Sequence, residues 1–316
     1  MSVRGFLIPA IALLIAACAV PGQTQVQPMP VTGAGIPMQE WAGICDRWDK
    51  WDKPAPPYRI HGNSYYVGTC GIAAILIAEK DQLILIDTGT EKGADVVVSN
   101  LRTLGVDLMD VDFLTHSHEH HDHIGGAAKV LALTDAILVG NFASVPVIET
   151  GKVTDSDPQF GVHPPMAPID FSNRMDGWRK IENGESIYID GFRLIAHETP
   201  GHSPGAMSWQ WESCDDQGDC KTIVYAGSLS PVSAEGYKFS DRQYYVNLFR
   251  QSIARIAALK CDILITPHPS HSNMVRRAAT GTFEGGMSCK EYAAGKMRDL
   301  DKRLAEEAAE ENGAQE

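Results

Sequence analysis

The sequence predicts an α/β protein built as a single four-layer αββα sandwich. Strand-like apolar runs and helix-period segments alternate in the first half of the mature chain, whereas paired apolar runs typical of hairpins dominate the second half. Each half also carries helices. The composition of the 316 residues, 44% hydrophobic and 21% charged, is typical of a folded globular protein.

The N-terminal segment is predicted to direct export and to lie outside the fold. Residues 6–17 form an apolar run of 12 residues, shorter than the roughly 20 that span a bilayer as a helix and typical of a signal peptide. The run ends in Ile15-Ala16-Ala17-Cys18, which resembles the bacterial lipobox, so Cys18 would be lipidated and tether the protein to a membrane. Ordinary secretory cleavage with loss of Cys18 is the alternative. Both kinds of processing would export the protein to the periplasm.

Residues 19–38 are rich in Pro, Gly and Gln and are predicted to form a flexible linker, followed by one domain over residues 39–316. In the first half of this domain, the apolar runs and the helix-period segments predict a hairpin, then helices and strands in alternation. The predicted order is strands 73–78 and 83–87, helix 93–104, strand 111–115, helix 124–133 and strand 136–140.

The second half is predicted to form hairpins, a strand and two long helices. The predicted order is strands 186–190, 192–197, 206–212 and 222–226, helix 242–259, strand 263–266 and helix 289–309. Between the halves, residues 150–178 contain several Pro, Gly and Met with little periodicity. A mobile flap over a site and a static surface loop are equally compatible with this segment.

The charge balance disfavours a nucleic-acid partner. Lys and Arg total 27 and Asp and Glu total 40, which gives a net charge of −13. A partner bound mainly through its phosphates would be repelled on average.

Seven cysteines and an export signal predict disulfides, with Cys18 lipidated and six residues left to pair. Cys214 and Cys220 flank a turn-rich stretch between two predicted strands, so they are expected to close that hairpin. Six cysteines allow 15 connectivities, and the local sequence does not decide the other pairs. No C-x-x-C pair occurs, which disfavours zinc thiolates.

A dense cluster of metal-binding residue types lies between Thr115 and Gly126, with five of the eleven histidines. Residues two apart in an extended backbone point the same way, so His118 and His120 can converge on one ion. Asp122 and His123, at the turn into the next helix, can reach a second ion. Three protein ligands per zinc ion leave a position open for water. A solvated polar loop is the alternative, which the H-x-H-x-D-H pattern between a buried strand and Gly-Gly disfavours.

Two further histidines lie in loops at strand ends. His202 is in the turn Thr-Pro-Gly-His-Ser-Pro-Gly, and His268 follows the predicted strand 263–266 in Thr-Pro-His-Pro. Either alone would indicate a surface turn. Together with the first cluster, both are expected to complete a metal site.

These segments resemble the metallo-β-lactamase superfamily. The resemblance rests on the H-x-H-x-D-H segment, Asp87-Thr88-Gly89, the turn around His202 and the late His268, and it runs from about Tyr65 to the final helix. Other details resemble subclass B3 of the class B β-lactamases. These details are Tyr66-Val-Gly-Thr-Cys-Gly-Ile72, Ala226-Gly-Ser-Leu-Ser230, Thr266-Pro-His-Pro-Ser270 and a Cys261–Cys289 pair.

The resemblance implies the metallo-β-lactamase fold and a site for two Zn²⁺ ions. It assigns the first zinc to His118, His120 and His202, and the second to Asp122, His123 and His268. In sibling subclasses a Cys at the position of Ser228 binds the second metal, and His123 takes that role here. Ser228 and Ser230 would hold the substrate carboxylate, with plain turn serines as the alternative. The Cys261–Cys289 pair leaves Cys45 to pair with Cys70.

The implied activity is hydrolysis of the β-lactam amide bond by a zinc-bound hydroxide that Asp122 orients, which would confer antibiotic resistance on the cell. The substrate would be a small molecule and the protein a monomer. Another di-zinc hydrolase, acting on lactones or thioesters, is one alternative. Many such enzymes carry a metal-bridging Asp where this chain has Gly227, which disfavours them. A non-catalytic metal-binding protein of the cell envelope is the second alternative.

The remaining polar residues near these motifs are expected to have supporting roles. His116 and His121 alternate with the implied ligands and should point away from them. His271 is expected at the rim of the pocket, and Asp87 is expected to fix the neighbouring loops through hydrogen bonds.

Overall fold

The computed structural model describes residues 31–171 and 177–313, and its first sheet has seven strands that follow one another in chain order. The first three pairs of neighbouring strands are antiparallel, and the last three pairs are parallel. The strands are β1 (Tyr58–His61), β2 (Ser64–Tyr66), β3 (Ile75–Glu79), β4 (Gln82–Ile86), β5 (Val111–Thr115), β6 (Ile137–Gly140) and β7 (Trp178–Lys180).

The second sheet has five strands, four of them antiparallel in chain order. The fifth strand, β12, pairs parallel with β11 at one edge. The strands are β8 (Ser186–Ile189), β9 (Phe192–Glu198), β10 (Met207–Cys214), β11 (Cys220–Tyr225) and β12 (Ile263–Ile265).

Helices flank the two sheets, and the longest of them cover the outer faces. In the described ranges they are α1 (Met38–Ile44), α2 (Gly93–Thr103), α3 (His121–Ile124), α4 (Ala127–Leu131), α5 (Val145–Thr150), α6 (Gln243–Ala258), α7 (Met274–Ala278) and α8 (Cys289–Gly313). Helices α2 and α4 pack on the first sheet, and α6 and α8 pack on the second. Within these ranges, no helix combines the length and the apolar character needed to cross a bilayer.

The alternation of side chains along the central strands creates the four layers. On β4, Ile84 and Ile86 belong to the core between the sheets, whereas Leu83 and Leu85 belong to the core under α2 and α4. On β11, Tyr225 faces the core between the sheets and Val224 faces α6 and α8. Because successive residues of a strand point to opposite faces, apolar strands of this kind are buried on both sides. The predicted αββα sandwich is confirmed.

Two local predictions differ from the structure. The helix expected over residues 124–133 begins earlier, at His121, and is interrupted at Gly125 and Gly126, which separate α3 from α4. A Cβ on Gly125 would lie 2.2 Å from the carbonyl oxygen of His121, so this position has no room for a side chain.

Residues 31–38, expected to belong to the linker, contact the folded body instead. Gly33 N donates to Leu104 O at 3.1 Å, and Ile36 N donates to Pro57 O at 2.9 Å. The packed part of the chain therefore begins earlier than the boundary placed at residue 38. Cys18 and the apolar run before it lie outside the described residues.

Three disulfides connect the cysteines of the described ranges in the expected pairs. They join Cys45 to Cys70, Cys214 to Cys220 and Cys261 to Cys289. The first links α1 to the loop after β2, the second closes the β10–β11 hairpin, and the third ties the segment before β12 to the start of α8.

Candidate metal centre

All six implied ligands lie at one rim of the sandwich, where loops from both sheets meet. His118 and His120 are in the loop after β5, and Asp122 and His123 lie inside α3. His202 lies in the turn between β9 and β10, and His268 follows the last residues of β12. The chain thus brings together groups that are up to 150 residues apart (268 − 118 = 150).

The first cluster consists of His118, His120 and His202. Their ring centroids are 4.8, 4.9 and 5.0 Å apart, and each ring offers a nitrogen within 4.8 Å of the other two. Burial lowers the pKa of both His120 and His202 to about 3. These rings are therefore neutral at pH 7, the form of imidazole that binds metal ions.

The second cluster consists of Asp122, His123 and His268. Asp122 Oδ2 lies 3.1 Å from His123 Nε2 and 3.3 Å from His268 Nε2, and these two nitrogens are 3.3 Å apart. Burial alone would raise the pKa of Asp122. The neighbouring imidazoles of His123 and His268 outweigh that effect and hold the pKa well below its usual value. The carboxyl group is therefore ionised.

The two clusters are adjacent, because His118 also offers a nitrogen within 4.8 Å of ligand atoms on Asp122 and His123. The buried Nε2 of His118 has no hydrogen-bond partner among the described residues, whereas its Nδ1 lies 3.1 Å from Ser117 Oγ. An unpaired buried nitrogen is costly unless it binds something. Five imidazoles and one carboxylate at one point form a donor set that fits divalent metal ions such as zinc.

Asp87 organises the floor of this centre. Its carboxylate accepts hydrogen bonds from Ser117 N at 2.6 Å, Ser117 Oγ at 2.7 Å and Tyr225 OH at 2.7 Å. It also lies 3.3 Å from His123 Nδ1, which leaves Nε2 of that ring facing the second cluster. The backbone of Asp87 has a φ of 64°, in the left-handed region. The expected role of Asp87 in fixing neighbouring loops agrees with these contacts.

Glu119, to which the sequence analysis gave no role, joins two of the loops. It is fully buried, and it accepts hydrogen bonds from Ser203 Oγ at 2.7 Å and from Gly205 N at 2.6 Å. Burial, and then the charge of Asp157, raise the pKa of Glu119 to about 7. The side chain holds the turn of His202 against the loop of His118 and His120. Its position inside the H-x-H motif was the one signal in the sequence.

The segment 150–178 contributes two buried side chains to the first cluster. Asp157 Oδ2 lies 3.0 Å from His120 Nε2, which directs the other nitrogen of this ring towards the cluster. Gln159 Nε2 lies 3.3 Å from His202 Nε2. Burial raises the pKa of Asp157 to about 6. The sequence analysis did not identify either residue, and whether the segment is a flap or a static loop stays a prediction.

Ser228 and Ser230 follow β11, and Ser230 contacts the first cluster. His202 Nδ1 donates to the backbone oxygen of Ser230 at 2.8 Å, so His202 Nε2 faces its neighbours. Ser230 Oγ accepts a hydrogen bond from Lys296 Nζ at 2.8 Å. Ser228 is fully buried, and its Oγ has no hydrogen-bond partner among the described residues.

Three further histidines, His116, His121 and His271, had been expected to have supporting roles. His116 Nε2 lies 3.1 Å from Ser144 Oγ, so this ring points away from the centre, as expected. His121 Nδ1 lies 2.9 Å from His163 Nδ1, and its ring packs on Trp51 with the centroids 5.4 Å apart. The ring of His271 is 4.9 Å from that of His268, at the edge of the second cluster.

Residues 67–268 match the family model described as the metallo-beta-lactamase superfamily. Among solved structures, the fold is similar to that of MIM-2 metallo-beta-lactamase, with 44% sequence identity, a TM-score of 0.78 and coverage of 87% of this chain and 99% of that one. It is also similar to MEM-A1, a subclass B3 metallo-beta-lactamase from a soil metagenome library. The values for MEM-A1 are 34% identity, a TM-score of 0.77 and coverage of 83% and 100%.

A curated relative is the probable metallo-hydrolase YflN of Bacillus subtilis, 25% identical over 212 residues that make up 61% of this chain and 77% of YflN. Other curated relatives, the anaerobic nitric oxide reductase flavorubredoxins, are matched over about a third of their length or less. The fold, the rim site and the family match agree. The chain belongs to the metallo-beta-lactamase superfamily, and its structural neighbours include subclass B3 enzymes.

Proposed function

We propose that this protein is a zinc-dependent β-lactamase that hydrolyses the amide bond of β-lactams and confers antibiotic resistance. The observation that carries the proposal is the convergence of two three-residue clusters at one rim of the sandwich. The sequence identity of 44% to MIM-2 metallo-beta-lactamase, which is covered over 99% of its length, supports the same reaction.

We assign one zinc ion to His118, His120 and His202, and a second zinc ion to Asp122, His123 and His268. Three protein ligands leave an open position at each ion. When bound, such ions lower the pKa of water to about 7 and polarise a carbonyl oxygen. Ser228, at the position of the metal-binding Cys of sibling subclasses, offers a neutral hydroxyl group that is a poor zinc ligand.

Asp122 is the residue we assign to catalysis itself. Its Oδ2 lies towards His123 and His268, and we assign Oδ1 to accept a hydrogen bond from the attacking water. The depressed pKa of this group keeps it an acceptor at neutral pH. The Asp87 and Glu119 hydrogen bonds hold the loops around this position, so that the water and the carbonyl group meet in a fixed geometry.

Gly227 disfavours the main alternative, a lactone or thioester hydrolase with a metal-bridging Asp at this position. A Cβ on Gly227 would lie 2.4 Å from the carbonyl oxygen of Met207, so the backbone leaves no room for such a side chain. A non-catalytic metal-binding protein is the second alternative. The buried, ionised Asp122 beside open metal positions favours catalysis over storage.

We further propose that the protein is exported to the periplasm as a monomer, with Cys18 as its lipid anchor. The apolar run at residues 6–17 and three disulfides support export. Detection of a diacylated N-terminal Cys18 by mass spectrometry of the membrane fraction would test the anchor.

The enzymatic proposal is tested by nitrocefin hydrolysis with the purified mature protein at neutral pH. We expect turnover that EDTA abolishes and added zinc restores, and two zinc ions per chain by elemental analysis. Hydrolysis of thioesters or lactones without any β-lactam turnover would overturn the substrate assignment. Metal binding without turnover of any of these substrates would support the non-catalytic alternative.

A further inference from the structure

Lys296, on the last helix, is a buried cation beside the candidate metal centre. Its side chain is 10% exposed, and its Nζ donates to Ser230 Oγ at 2.8 Å. Four residues earlier, Tyr292 OH donates to the backbone oxygen of Gly227 at 3.2 Å. Because residues i and i+4 share one side of a helix, this side of α8 lies against the segment 227–230.

Among the described residues, Lys296 has no close carboxylate partner, although its Nζ lies 5.5 Å from the centroid of the Tyr292 ring. The carboxylate paired with it, on Asp299, is 3.6 Å away and 56% exposed. An ammonium group has three donors, and Ser230 Oγ is its one hydrogen-bond partner at short distance among the described residues. Burial lowers the pKa of Lys296, the direction expected when a cation lacks a close partner.

Nearby groups indicate what would complete this arrangement. The buried Ser228 Oγ, two residues from Ser230, is also without a partner in the described ranges. The backbone of Ser230 contacts His202 of the first cluster. A cation and a free hydroxyl group therefore border the site from one side and can bind an anion.

We propose that Lys296 is a substrate-binding residue that pairs with the carboxylate of the substrate, with Ser228 and Ser230 as additional hydrogen-bond donors. This inference rests on the proposed β-lactamase function, because β-lactam antibiotics of the penicillin, cephalosporin and carbapenem types carry a carboxylate beside the lactam nitrogen. A protein with a net charge of −13 repels anions on average. A local buried cation then determines where the anionic end of the substrate binds, and so orients the lactam towards the metal centre.

The test compares nitrocefin with its methyl ester, which lacks the carboxylate charge. We expect Lys296→Met to raise KM for nitrocefin roughly tenfold or more, with a much smaller change in kcat, because a charged hydrogen bond in the bound complex is lost. KM for the ester should change by less than about twofold. Lys296→Arg should restore most of the affinity for nitrocefin. Lys302→Met is the matched control, since Lys302 lies on the same helix and is 77% exposed.

An unchanged KM for nitrocefin in Lys296→Met, or an equal rise for nitrocefin and its ester, would overturn the inference while β-lactam hydrolysis stands. Lys296→Gln, which keeps a donor to Ser230 without the charge, provides a second variant if the Met variant does not fold. If neither variant folds, Lys296 has a structural role, and the inference is overturned. If the wild-type protein hydrolyses neither compound, the proposed function itself fails.

Discussion

Replacing Glu119 by Ala is expected to destabilise the protein and to weaken metal binding at the first cluster. Glu119 accepts two buried hydrogen bonds, from Ser203 Oγ and Gly205 N, and these bonds hold the turn that carries His202. The substitution removes both acceptors at once. The two donors are then left buried and unpaired, unless the turn moves away from the loop of His118 and His120.

The expected loss in the free energy of unfolding follows from these contacts. A buried donor without its acceptor costs about 1–3 kcal/mol, so two donors cost about 2–6 kcal/mol. The pKa of Glu119 is raised to about 7, which means that burial of the ionised carboxylate is itself unfavourable and offsets part of the loss. We therefore expect Glu119→Ala to lower the free energy of unfolding by about 2 kcal/mol, near the lower end of this range. Glu119→Gln keeps one acceptor oxygen and should lose less than half as much.

Urea unfolding of the metal-free protein measures this difference, and competition with a chromophoric chelator measures zinc affinity. Displacement of the His202 turn should lower the affinity for one of the two zinc ions by about 10–100-fold, which is the usual effect of removing a group that supports a metal ligand. Unfolding of Glu119→Ala within about 0.5 kcal/mol of wild type, with both zinc affinities unchanged, would refute the reasoning, because so small a change is typical of surface substitutions without structural consequence.

Four further outcomes are expected. Asp122→Ala should lower kcat for nitrocefin by orders of magnitude, and a variant with full activity would refute the catalytic assignment. Asp157→Ala should lower the affinity for one zinc ion by about 10-fold or more in chelator competition. Asp155→Ala, a substitution of an exposed neighbouring residue, should leave both zinc affinities unchanged. Gly227→Ala should lower the free energy of unfolding by about 1–3 kcal/mol, because its Cβ would clash with Met207 O; an unchanged urea midpoint would contradict this. At a free zinc concentration of 100 Kd, bound zinc should add about 2.7 kcal/mol per site to the free energy of unfolding, and removing the zinc should abolish this gain. A melting temperature insensitive to EDTA would exclude bound structural or catalytic metal.

Most of the fold was predictable because its main elements have strong local patterns. The strand at Val111–Thr115 and the long helices α2, α6 and α8 agree with the structure to within a few residues, since apolar periodicity reports which side of an element is buried. The short strands β1, β2 and β7 were missed. They have three or four residues each and mix polar with apolar side chains, whereas the equally short β12 is wholly apolar and was recognised as an apolar run.

Four of the six implied metal ligands could be predicted from local spacing in the same way. His118, His120, Asp122 and His123 lie within six consecutive residues, so their spacing alone brings them near one another. The role of Glu119 could not be inferred, because an acidic residue between two histidines is ordinarily solvent-exposed. Only the approach of Ser203 and Gly205 makes it a buried acceptor.

By itself, the sequence determined the fold class, the superfamily and the six implied ligands, since these depend on backbone periodicity, on the spacing of neighbouring residues and on recognisable motifs. The tertiary structure decided which other distant groups support the centre: it placed Asp157 against His120, Glu119 against the turn of His202, and Lys296 beneath Ser230. The physical reason is that burial and unpaired hydrogen-bonding groups arise from the meeting of segments far apart in the chain. No local pattern encodes which of those segments will meet.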